Sequence, residues 1–228
     1  MTDRFPVMLF AAGLGTRMAP LTDHRPKPLM TVGDRTLLDH ALDLTQVSCV
    51  GPKVVNVHYL ADMVRQHLSG QHIAISSEDA LLLDTGGGLR HAMPLLGQGP
   101  VMTLNTDAVW RGQNPLSLLA TAWRPDMEAL LLLVPPADAV GHTGKGDFSI
   151  GADGRLTRAP GAIYTGAQII RTDRLGDVPQ DVFSLNVMWD AMAARGGLFG
   201  VIYDGVWCDV GRPESIALAE TLLDCADV

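Results

Sequence analysis

The chain has 228 residues, 47% of them hydrophobic and 18% charged, which suits one large globular domain or two small ones and excludes a disordered chain. A formal net charge of −8 speaks against nucleic acid or an anionic membrane as partner, so an anionic ligand must meet locally supplied positive charge or a metal. Three distant cysteines, Cys49, Cys208 and Cys225, form no CxxC pair, which argues against a disulfide framework or structural zinc and fits a reducing cytoplasm.

The first predicted strand, PVMLFAA, is an apolar run of seven residues, far short of the roughly 20 that a membrane helix needs. It leads into a glycine-rich loop and not a cleavage site, so it does not read as a signal peptide. Further strands are predicted at KVVNVHY, HIAISSE, PVMTLNT and EALLLLV. Their near-continuous apolar character is that of strands covered on both faces. Between them TLLDHALDLTQV, LADMVRQHL, GGLRHAMPLL and PLSLLATAW carry apolar residues at helical spacing. This alternation predicts a mostly parallel sheet with right-handed crossovers. After Pro135 the pattern changes. DFSIGADGRLTRAP reads as a hairpin, AIYTGAQII as a strand, SLNVMWDAMAARG as a helix, LFGVIYDG as a strand and PESIALAETLLDC as a closing helix. With no linker or repeat in view, residues 1–228 read as a single domain with a β-rich segment at about 140–170.

The loop after the first strand, AAGLGTRMAPLTDHRPKPLM, combines glycines with Arg17 and Lys27. A glycine-rich turn at the C-terminal end of the first strand is a phosphate-binding position, because backbone N–H groups point into the crevice there. Two standard patterns fail: GxGxxG and GxxxxGK[ST] would both need glycine where Met18 stands. Pro26 and Pro28 restrict the backbone on either side of Lys27. The chain holds only three lysines among its seventeen basic residues, and a lysine at such a place offers a compact point charge. Read alone, the loop also fits a solvated turn with incidental charge.

Gly13–Leu29, GLGTRMAPLTDHRPKPL, resembles the signature GxGTRxxPLTxxxPKPL of sugar-1-phosphate nucleotidyltransferases. The resemblance implies a Rossmann-like, mostly parallel sheet flanked by helices, with a small β-rich sugar-binding insertion. It implies that Ala12, Gly13, Leu14, Gly15 and Thr16 hold nucleotide phosphates, that Arg17 stabilises the departing pyrophosphate and that Lys27 contacts phosphate at the reacting centre.

Transfer between anions calls for a divalent ion, and Mg²⁺ takes one or two carboxylates together with phosphate oxygens. Asp107 and Asp209 are the candidates, both near predicted strand ends, though each also reads as a cap. By resemblance, NTDAVW matches the family's N-G-D-x-W metal segment and WCDVGRPE its W-x-D-x-G-T-P-E segment. Thr106 and Arg212 depart from those patterns, and Thr106 adds bulk beside the metal position. The attacking phosphate is already ionised, so no general base is required, and His58, His91 and His142 are not assigned a catalytic role.

The stretch EDALLLDTGGG resembles the family's base-contacting region, which makes Glu78, Asp84, Gly86 and Gly87 nucleotide-side candidates. GHTGKGDF resembles the N-acetylmuramate-1-phosphate uridylyltransferase branch of peptidoglycan recycling. Sugar-side candidates are Asn105, Gly146, Asp147, Thr165 and Gly166. The expected partners are therefore a sugar 1-phosphate and a nucleoside triphosphate, UTP favoured. A mannose- or heptose-1-phosphate guanylyltransferase, a choline-phosphate cytidylyltransferase, a metal-dependent glycosyltransferase and a non-catalytic nucleotide-sensing subunit stay open as alternatives. No hexapeptide repeat follows, so an added acyltransferase activity is not expected. Oligomeric state is left open.

Overall fold

The computed structural model describes residues 4–224. In chain order the elements are β1 (Phe5–Phe10), the small hairpin β2 (Thr31–Val32) and β3 (Arg35–Thr36), α1 (Leu37–Leu44), β4 (Val50–Val57), α2 (Ala61–His67), β5 (Ala74–Ser77), α3 (Asp84–Leu96) and β6 (Pro100–Asn105). There follow β7 (Ala108–Arg111), α4 (Pro115–Ala122), β8 (Ala129–Val134), β9 (Ala139–Val140), β10 (Phe148–Ile150), β11 (Leu156–Arg158), β12 (Ile163–Arg171), α5 (Leu185–Ala194), β13 (Leu198–Ile202), β14 (Val206–Asp209) and α6 (Glu214–Asp224). Cys225, the last residue of the closing helix expected from sequence, lies outside the described residues.

Seven strands form the central sheet in the order β13-β8-β12-β6-β1-β4-β5. All neighbours run parallel except β12, which is antiparallel to both β6 and β8. Alternate side chains explain why the strand sequences are apolar throughout. In β8, Leu130, Leu132 and Val134 enter the core on one face, while Ala129, Leu131 and Leu133 enter the core on the other. Burial of each leucine stabilises the fold by about 1.5–3 kcal/mol. Leu38, Leu42, Leu116 and Leu119 bring α1 and α4 to the first core; Leu89, Ala92, Met188 and Met192 bring α3 and α5 to the second.

Local chemistry sets the helix ends. Thr36 and Asp39 form a reciprocal cap on α1. Asn114 accepts from the amides of Leu116 and Ser117 at the start of α4, with Pro115 in the first turn. Ser184 caps α5, which stops before Gly196 in the left-handed region at φ 74°.

Two departures from the sequence reading concern the site. Of the β-rich stretch expected at about 140–170, only β10 and β11 form the separate hairpin, because β12 is an inner strand of the central sheet. A second, three-stranded sheet, β7-β14-β9, was not foreseen. Its strands are two to four residues long, and their pairing is set by tertiary contact, which leaves no periodicity to read. Among the described residues no helix is long and apolar enough to cross a membrane.

Candidate active site

The loop after β1 is held by a few specific contacts. Gly15 adopts φ 67°, and a side chain there would meet Thr22 Cγ2 at 3.0 Å and Lys27 Cβ at 3.1 Å. The Thr22 hydroxyl donates to the Gly15 carbonyl at 2.9 Å, and Tyr59, just past β4, donates its hydroxyl to the Thr22 carbonyl at 3.0 Å. Pro26 is extended and leads into a tight turn over Lys27–Leu29, which aims the lysine inward. The amides of Gly13 and Leu14 donate to no group among the described residues, so the turn presents free N–H groups.

Lys27 Nζ meets Asp107 Oδ2 at 2.7 Å. Asp107 lies between β6 and β7, directly before Ala108, and its carbonyl accepts from the Val210 amide at 2.8 Å. Asp209 ends β14, where it pairs with Ala108 of β7. The three-stranded sheet thus brings Asp209 within electrostatic range of Asp107, Lys27 and Arg17. Burial pushes the Asp209 carboxyl above its ordinary range, and the Asp107 charge pushes it further, while Lys27, Arg17 and His142 oppose the shift. His142 Nδ1 lies 3.6 Å from Asp209 Oδ2, a neighbour that the sequence reading did not assign.

Two clefts meet at this point. The larger, about 470 Å³, runs from Ala12, Gly13, Lys27 and Asp107 past Asn105 to Glu78 and Asp84. The smaller, about 180 Å³, lies between Gly15, Thr16, Arg17 and Gly211 and shares Gly13, Lys27 and Asp107 with the first. Leu14, at the tip of the loop, is exposed.

Other candidates take different places. Gly86 and Gly87 are buried, and both amides donate to the Phe183 carbonyl, at 2.9 and 3.0 Å. Side chains there would strike the Phe183 ring and the Asp181 carbonyl. The glycine cluster therefore docks the segment 181–183 onto α3, and neither of these two amides is free for a nucleotide. Gly146, Asp147, Thr165 and Gly166 lie outside the lining of both clefts. The Thr165 hydroxyl donates to the Leu132 carbonyl, and Asp147 Oδ2 accepts from the Tyr164 amide. Gly166 backs the Asn105 side chain, which does line the larger cleft. Thr106 donates to the Phe10 carbonyl at 2.7 Å, so its hydroxyl ties β6 to β1.

The lining residues that sequence reasoning missed include Asn56, Leu82 and Val182. Asn56 left a signal, a lone amide in the apolar run VVNV of β4. Val182 left none, since its place depends on how its segment docks.

The donor set suits a hard cation. Asp107 lines both clefts, Asp209 lines neither but lies within range of the Asp107, Lys27 and Arg17 charges, and among the described residues no group of three or more His, Cys, Asp or Glu side chains converges. Such a pair fits Mg²⁺, which keeps positions for phosphate oxygens and water.

The chain matches the MobA-like NTP transferase domain over residues 7–144. It is similar to N-acetylmuramate alpha-1-phosphate uridylyltransferase of Caulobacter vibrioides, with 40% identity over 95% of this chain and 96% of that one. The protein of the same name from Neisseria meningitidis is 30% identical over 94% of this chain and 96% of its own. In fold the chain resembles HddC from Yersinia pseudotuberculosis, with a TM-score of 0.78 and 19% identity over 96% of this chain and 99% of that one.

Proposed function

Because the chain belongs to the MobA-like NTP transferase family, and is thereby a nucleotidyltransferase, we propose that it joins N-acetylmuramate 1-phosphate to UTP, giving UDP-N-acetylmuramate and pyrophosphate. A sugar-phosphate oxygen attacks the α-phosphorus in line. The bond from that phosphorus to the bridging oxygen breaks, and pyrophosphate leaves with the electron pair. No proton need move, since the nucleophile is ionised at neutral pH.

The observation that carries this reading is the Lys27–Asp107 pair where the two clefts join, with Asp209 close enough behind it to feel both charges. Lys27 and Arg17 offset negative charge that grows on the leaving group, and the free amides of the turn hold phosphate oxygens. Asp107 and Asp209 would hold Mg²⁺, which when bound supplies neutralisation of the phosphate charge. The larger cleft takes the nucleoside on the side of Glu78 and Asp84, with the sugar beside Asn105. We place the reaction in the cytoplasm, in the recycling of peptidoglycan sugars, on the resemblance carried by GHTGKGDF and on cysteines too scattered for a disulfide framework.

Pyrophosphate release, measured with N-acetylmuramate 1-phosphate and each of UTP, GTP, CTP and ATP in Mg²⁺, tests the assignment. Turnover with UTP, abolished by chelation, is expected. Turnover with GTP and none with UTP would replace it with a guanylyltransferase.

A further inference from the structure

Asn56 and Glu78 form a polar chain in the wall of the larger cleft, and both are only 3% exposed. The Ala11 amide donates to Asn56 Oδ1 at 2.7 Å, Asn56 Nδ2 donates to Glu78 Oε1 at 2.6 Å, and the Leu83 amide donates to Glu78 Oε2 at 2.9 Å. The backbone at Glu78 is fixed as well, its amide bonded to the Val57 carbonyl at 2.9 Å and its carbonyl facing His58 Nδ1 at 2.7 Å. Gly88 leaves the room the pair needs, since a side chain there would meet Glu78 Oε1 at 2.6 Å. Three donors and three acceptors match one for one, and each terminal donor is a backbone amide. Ala11 begins the phosphate-binding turn, while Leu83 immediately precedes α3, whose first residues Asp84 and Thr85 line the opposite part of the cleft.

We infer that Asn56 is a positioning residue for the nucleotide, acting through Glu78 to hold the phosphate-binding turn and the start of α3 at a fixed separation. This rests on the proposed nucleotide site and gives Glu78 a different task from direct contact with the base. Polarity makes the two tasks separable. E78Q puts an amide NH₂ against either Asn56 Nδ2 or the Leu83 amide, leaving one buried donor unpaired. N56D sets two buried carboxylates face to face. The double variant N56D/E78Q moves the carboxylate from position 78 to position 56 and rebuilds the chain. The new acid accepts from the Ala11 amide and from the new amide side chain, whose oxygen accepts from the Leu83 amide. Net charge and shape are unchanged.

The test is calorimetric titration of the full chain in Mg²⁺ with UTP, GTP, CTP and ATP, the tightest of the four serving as probe, with Tm recorded for every variant. E78Q and N56D are each expected to weaken its binding by about 10–100-fold, the usual effect of a buried donor or charge left unpaired. N56D/E78Q is expected to return to within about threefold of the unaltered chain. If a single variant does not fold, the double variant alone decides. Full Tm without recovered affinity in the double variant would overturn the proposal and return Glu78 to direct contact. Unchanged affinity in both single variants, an unfolded double variant, or no binding of any triphosphate by the unaltered chain would overturn it too. Recovered affinity in a protein that turns over no sugar phosphate would sink the proposed reaction and leave this inference standing.

Discussion

Lys27 and Asp209 show how single residues carry opposite energetic burdens. Lys27 sits where charge must be offset, so K27A is expected to lower kcat/KM by about 10²–10³, the scale for loss of one preorganised electrostatic donor, with Tm little changed. Asp209 carries a cost instead. Its folded carboxyl titrates above the ordinary aspartate value of about 3.9, chiefly through burial and then through Asp107. The folded chain therefore keeps this proton longer than the unfolded chain does. Stability falls as pH rises from the unfolded value through the raised one, and the whole cost is present above the raised value. D209N removes it. Thermal unfolding without added metal is expected to show a higher Tm for D209N at pH 7, by roughly 2–4 °C for each kcal/mol relieved, and a gain that shrinks toward pH 3. Assay of the same variant is expected to show loss of Mg²⁺-dependent turnover. At this scale the sequence was legible where residue chemistry is unusual for its setting. A lysine between prolines stands out, whereas Asp107 and Asp209 read equally as caps until the family resemblance singled them out. Asn56 in VVNV was visible and passed over, and His142 became informative only once its ring was found facing Asp209.

Among the elements, α3 and the segment before α5 depend on one another. Arg90 donates to the carbonyls of Val178 and Gln180, both at 2.7 Å, reaches Asp181 at 3.0 Å, and lies 5.0 Å from the centre of the Phe183 ring. With the two glycine amides this seats Val182 in the cleft wall. G87A places a methyl group against the Asp181 carbonyl, which is backbone and cannot swing aside. Urea unfolding is expected to show a loss of about 1–3 kcal/mol, the cost of overpacking, and calorimetry a weaker nucleotide affinity as Val182 is displaced. Periodicity revealed the large elements because β1, β4, β6 and β8 are covered on both faces and their helices on one. It could not reveal that the glycine triplet serves helix–segment docking, since a glycine looks the same whether it frees an amide or admits a ring.

Across the whole molecule, function depends on joining distant stretches of chain. The turn after β1, the end of β6 and the end of β14 meet only in the folded state, so an ion and a triphosphate bound between them stabilise that state against unfolding. Mg²⁺ and UTP together are expected to raise Tm by more than the two added separately, an excess lost on chelation and in D107A, as scanning calorimetry would show. The fold class was readable from the alternation of strands and helices. The small sheet that completes the site was not, because its ladder links residues about 100 positions apart through strands too short to carry a pattern.

That ladder has a consequence for how the chain can vary. Asp209 closes the ladder opposite Ala108, and the Val210 amide donates to the Asp107 carbonyl just beyond it, so the pairing of Ala108–Arg111 with Val206–Asp209 sets where the second acid stands along the ribbon. Removing one residue from within Val206–Cys208 would shift Asp209 by one step along the ladder and turn its side chain over, leaving Asp107 alone with Lys27. Evolution can lengthen the neighbouring loops freely, but here it must count.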